Sequence, residues 1–246
     1  MIFEYIKTGW QIYKSNLMSF IVAELIALII VSVFVGIGTG IIFITMGVSS
    51  FAELRSPEIT MSRIVSVFPL FMGLGISLIF YLVAAFIAIL SIIGLFGMAV
   101  EALRGTTEFK TMFIMAKEFG TTGVLTSLII WLISMFFIFV FVGVLGLIFP
   151  VIGSVIGIVM LVLIMVFFSL SYPGIVLDNL GPIETIQRSI SITKKNYPDV
   201  FGLLVFYAGI SLALTFIPFF GQIIIYFVFI PMLFISLVFF YKRNKI

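Results

Sequence analysis

Three acidic side chains stand where they could do chemistry: Glu24 well inside an apolar run, and Glu101 and Asp178 at the ends of two others. A carboxylate in hydrocarbon is costly and marks a site unless a neighbour neutralises it. Glu24 therefore either carries a proton or an ion, or reaches Lys14 or Lys195 at the membrane surface. Glu101 and Asp178 lie at comparable points, ahead of Leu103-Arg104-Gly105 and Leu180-Gly181-Pro182, and are expected to cap helices or pair with neighbouring bases. Acid–base or metal chemistry would need the two side by side, but they belong to different hairpins and spacing alone does not join them. The rest of the catalytic repertoire is missing. A chain of 246 residues without His or Cys cannot assemble an imidazole base, a zinc–imidazole or thiolate site, a haem held by His, or a disulfide. No catalytic residue, metal or cofactor is expected, and an enzyme is not expected.

The elements that position these groups belong to a membrane. Residues are 63% hydrophobic and 9% charged, with a mean hydropathy of +1.40, which is more apolar surface than a soluble domain can hide. Runs of about 20 residues cross a hydrocarbon core of roughly 30 Å as helices. They lack the alternation of barrel strands, and only helices then satisfy the backbone. Six spans are read: Ser19–Met46, Val67–Met98, Gly123–Phe149, Val151–Pro173, Val200–Ile217 and Gly221–Phe240. Pro150 turns the second hairpin, and Pro218 with Gly221 turns the third. Gly36/Gly40 and Gly153/Gly157 have the spacing that lets helices approach closely, within the chain or between copies. Pro231 is expected to bend the last span and free a carbonyl.

The basic residues give the orientation. Lys7 and Lys14, then Arg104, Lys110 and Lys117, then Arg188, Lys194 and Lys195, then Lys242, Arg243 and Lys245 all fall on one side. The other side has Arg55 and Arg63, offset by Glu53 and Glu58. The positive-inside rule makes this a multi-pass protein of the cell membrane with both termini cytoplasmic. Nucleic acid is not an expected partner, because the net charge of +3 reflects topology. No cleaved signal peptide is expected, since the first 16 residues are amphipathic.

A segment recurs. Phe3, Ile6, Trp10, Tyr13 and Leu17 have the spacing of Ile183, Ile186, Ile190, Thr193 and Tyr197, with Lys14 and Asn16 opposite Lys194 and Asn196. A looser copy has Met112, Met115 and Phe119, with Lys110 opposite Arg188 and Lys117-Glu118 opposite Lys195-Asn196. The predicted fold is all-α and integral to the membrane. It has six transmembrane helices in three hairpins, each preceded by a cytoplasmic amphipathic interfacial helix. The three repeats run parallel within one domain, residues 1–246, in units of about 1–98, 99–173 and 174–246.

Two readings of the interfacial segments stand: they anchor topology, or they form a rim for anionic headgroups built from Lys14, Lys110, Lys117, Arg188, Lys194 and Lys195. The expected function is non-catalytic, organising lipid or scaffolding a protein partner or second copy. The alternatives are a transporter or channel for a small or amphiphilic solute and, more remotely, an intramembrane lipid enzyme using Glu24, Glu101 or Asp178.

The run Ile175-Val176-Leu177-Asp178, Gly181-Pro182-Ile183-Glu184, Arg188-Ser189 and Lys194-Lys195-Asn196 ahead of an apolar span resembles the six-span membrane domain found before some glycerophosphodiester phosphodiesterases. Stand-alone relatives are similar. The resemblance implies a membrane module with a lipid-related role. It implies no hydrolase activity, since these residues include neither the barrel domain nor a His.

Overall fold

Asn16 and Asn196 decide where two of the helices stop. In the computed structural model, which describes residues 2–55 and 61–245, without the side chains of 51–55, 61–68 and 148, α1 (Ile2–Ser15) ends at Asn16 and α2 (Leu17–Arg55) follows at once. Asn196 likewise separates α8 (Pro182–Lys195) from α9 (Tyr197–Thr215). At both junctions the amide donates to the carbonyl four residues back, Ile12 and Ile192, at 3.0 Å. A side chain that competes for its own backbone is a poor helix former, so the axis turns there. Glu58 lies outside the described residues, as do the side chains of Glu53, Arg55 and Arg63.

Between these lie α3 (Met61–Ala102), α4 (Lys110–Ile138), which runs through a π-helical segment Phe139–Val144 into α5 (Leu145–Ile148), then α6 (Pro150–Phe168) and α7 (Ser171–Asp178). After α9 come α10 (Phe220–Ile224), a second π segment Ile225–Phe229 and α11 (Ile230–Asn244). No strand occurs among the described residues. Among the described residues six stretches are long and apolar enough to cross a membrane: Leu17–Ser50, Pro69–Ala102, Lys110–Leu147, Pro150–Asp178, Tyr197–Thr215 and Phe220–Asn244. The chain is an all-α multi-pass membrane protein.

The expected middle interfacial helix is corrected: α4 runs without interruption from Lys110 through Glu118 into the span. Glu118 stands where the other copies have Asn, and an unbranched glutamate continues a helix that asparagine ends.

The chain divides into two compact units, Leu25–Ala88 and Met1–Glu24 with Ile89–Ile246. In the first, Ser77 Oγ donates to the Gly38 carbonyl at 2.8 Å and Thr39 meets the Tyr81 hydroxyl at 3.0 Å. Gly38 permits this approach, because a Cβ there would lie 3.3 Å from the Tyr81 ring.

In the second unit the repeat closes on itself. The interfacial segment of each copy packs on the second helix of the copy before, and the first packs on the last. Helix α1 lies on α11 through Tyr5, Gly9 and Tyr13, with Ser236 Oγ donating to the Tyr5 carbonyl at 3.3 Å. Helix α8 lies on α6 and α7 through Thr185, Ser189 and Thr193, and these positions match the first three in register. The start of α4 lies on the end of α3, where Gly94 and Gly97 admit Met112 and Met115. The buried stripe coincides with the apolar pattern only in part: Tyr13, Ile186, Met112 and Phe119 are buried, while Phe3, Trp10 and Ile183 are exposed.

Prolines set the remaining breaks. Pro173 has no N–H for the carbonyl of Ser169, and α6 stops at Phe168. Two carbonyls flanking this break accept hydroxyls across the interface: Ser189 Oγ donates to Phe167 and Thr185 Oγ1 to Ser171, both at 2.6 Å.

Candidate functional site

Five of the six basic residues read as a rim are exposed and free of ion pairs among the described residues, and the sixth, Arg188, is engaged. Lys14, Lys110, Lys117, Lys194 and Lys195 are exposed and take no part in the two ion pairs seen among the described residues, Glu4–Arg243 and Asp178–Lys245. Arg188 is engaged instead, its guanidinium donating to the Lys245 carbonyl. Lys14, Lys194 and Lys195 stand beside the Asn-closed junctions, and Lys117, which matches Lys195, lies within the continuous α4. The exposed side chains of Phe3, Trp10 and Ile183 lie on the same interfacial segments. An apolar stripe flanked by lysines is the surface an interfacial helix offers to acyl chains and anionic headgroups.

Glu101 pairs with no base among the described residues. One of its oxygens accepts the hydroxyls of Thr107 and Thr111, both at 2.6 Å. Asn16 completes the node: Thr107 N–H donates to its Oδ1 at 2.8 Å, its amide lies 3.4 Å from the Gly105 carbonyl, and Ser19 Oγ donates to the Thr107 carbonyl at 2.7 Å. The connection between α3 and α4 is thereby tied to the start of α2. Asp178 accepts the Tyr241 hydroxyl at 2.9 Å and the Lys245 ammonium, so its basic partner comes from beyond α11 and not from α8. Beside it an open groove of about 570 Å³ is lined by Asp178, Leu180, Glu184, Gln187, Arg188 and Ser191.

Glu24 is buried, at 8% exposure, and its Oε2 has no hydrogen-bond partner among the described residues. Neither Lys14 nor Lys195 forms an ion pair with it. The nearby Tyr13 hydroxyl donates to the Phe227 carbonyl. That is the carbonyl Pro231 leaves without an N–H four residues on, so the freed group expected from the sequence is capped by a tyrosine. Burial first, and the Glu24 charge second, push Tyr13 up to about 12 from 10.0.

Tyr13 therefore donates at every ordinary pH. Because its folded pKa is raised, its contribution is complete below about pH 10 and is lost as pH rises through about 12. Tyr13→Phe is expected to lower stability by about 1–2 kcal/mol, leaving the buried carbonyl bare, and to remove part of the alkaline loss between pH 10 and 12. Unfolding followed against pH checks this. An identical alkaline slope in both proteins would refute the assignment.

Sequence reasoning missed Thr185 and Ser189 as interface donors, and Tyr241 and Lys245 as partners of Asp178. The first two were signalled by the hydroxyl spacing Thr185, Ser189, Thr193. Nothing local announced the others, which lie more than 60 positions from Asp178.

Compared with protein-family models, curated proteins and solved structures, the chain matches none.

Proposed function

We propose that this chain is a non-catalytic protein of the cell membrane, both termini cytoplasmic, that gathers anionic lipid around its basic interfacial segments. The observation that carries the reading is the set of five exposed lysines that form no ion pair among the described residues. A lysine near an anionic leaflet contributes about 1 kcal/mol, and several arranged around one unit bias local lipid composition without an enclosing pocket. The resemblance to the six-span domain accompanying phosphodiesterases accords with a lipid-related role.

Native mass spectrometry from mixed anionic and zwitterionic nanodiscs tests it. Neutralising Lys14, Lys117, Lys194 and Lys195 to Gln is expected to cut retained anionic lipid at least about tenfold, a loss of 1.4 kcal/mol or more. Unchanged retention would sink the proposal.

One observation favours a second reading, passage of a small or amphiphilic solute: the buried, partnerless oxygen of Glu24. Intramembrane carboxylates mark ion and substrate paths. Flux unaltered by Glu24→Gln would remove it.

A further inference from the structure

We propose that the groove beside α7 and α8 binds an aminoethyl phosphate headgroup, a primary ammonium joined to a phosphate by two carbons, and that Lys245 engages the Asp178 and Arg188 of its wall in the headgroup's absence. The inference goes beyond the lysine rim, which attracts net negative charge and does not discriminate among zwitterions.

The groove is lined by two acids and one base, and the present partners of Asp178 and Arg188 define what they take. Asp178 Oδ2 is fixed by the Tyr241 hydroxyl at 2.9 Å, which leaves Oδ1 to an ammonium; the Lys245 Nζ donates there. Arg188 donates to an oxygen, the Lys245 carbonyl. One residue thus presents an ammonium and an oxygen acceptor to Asp178 and Arg188, the pair of groups that an aminoethyl phosphate carries in one small unit. A phosphate oxygen, being charged, is the stronger acceptor for a guanidinium fork.

The volume of about 570 Å³ falls in the range of small-ligand sites. Gln187 and Ser191 add polar lining, while Glu184 is already held by the Gly181 N–H at 3.2 Å. A choline headgroup has no N–H for Asp178, and a site built to hydrogen-bond rejects the analogue lacking the donor. A glycerol headgroup brings no ammonium and faces two carboxylates.

Full-length protein in nanodiscs of equal phosphatidylethanolamine and phosphatidylcholine, read by native mass spectrometry, tests this. Wild type is expected to retain the ethanolamine lipid about fivefold over the choline lipid. Lys245→Ala, which removes the part-exposed ammonium that competes for Asp178 and leaves the backbone carbonyl at Arg188, is expected to raise that ratio several-fold. Adding Arg188→Gln is expected to abolish it. Equal retention of the two lipids, or a ratio unmoved by Lys245→Ala, would overturn the proposal.

Phosphoethanolamine added to lipid-free protein in detergent separates the sources: binding there assigns the groove to the soluble compound, and binding only with acyl chains assigns it to the lipid. The four-lysine variant is expected to lose anionic lipid while keeping the ethanolamine preference, so the two proposals fail independently.

Discussion

Gly94→Ala is expected to destabilise the protein by on the order of 3 kcal/mol, while Gly36→Ala leaves it unchanged or stabilises it by up to about 1 kcal/mol. Alanine is the better helix former at both positions, so propensity alone predicts two small gains. At Gly94 a Cβ would fall on the carbonyl oxygen of Met112, 2.6 Å from the Met112 Cγ and 3.0 Å from its carbonyl carbon. Backbone cannot step aside as a flexible side chain does, and the start of α4 would have to lift off α3. At Gly36 nothing lies within 4 Å. Thermal unfolding of both variants in one detergent decides the matter; shifts of the same sign would show that the contact at Gly94 is not the close one described.

Asn16→Ala is expected to cost about 2–4 kcal/mol, and Asn196→Ala less than about 1 kcal/mol, although the two residues occupy the same repeat position. Both lose a bond to the carbonyl four residues back. Only Asn16 also accepts the Thr107 N–H, and Thr107 is buried. A buried N–H left without an acceptor costs about 1–3 kcal/mol by itself. Denaturation of the two variants side by side checks this, and equal losses would mean that the bond to Thr107 contributes nothing. Asn16→Asp, which keeps the acceptor, is expected to recover part of the stability.

The spans were legible because hydrophobic length is written locally, and the repeat because Lys14-Ser15-Asn16 and Lys194-Lys195-Asn196 keep their spacing. Which face of each interfacial segment is buried was not. The apolar pattern of Phe3, Ile6 and Trp10 marks the side that suits lipid, whereas the buried stripe of α8 mixes Ile186 and Ile192 with the hydroxyls of Thr185, Ser189 and Thr193. In water such hydroxyls would point outward. Here Thr185 and Ser189 turn inward to the Ser171 and Phe167 carbonyls. The site followed the same division: the lysines could be found by composition, but the environment of Asp178 depends on Tyr241 and Lys245, brought in by the far end of the chain. Glu24 was visible as an anomaly from the first, and only the structure showed that neither lysine expected to pair with it does so.

The docking of α1 on α11 also has a cost in time. Tyr13 must meet Phe227, 214 positions later in the chain, and Tyr5 must meet Ser236. At about 5–20 residues per second, the ribosome takes on the order of ten seconds or more to deliver those partners. Throughout that interval the first segment has synthesis behind it and no mate ahead. Until the final helix arrives, the face of Tyr5, Gly9 and Tyr13 has nothing to pack on.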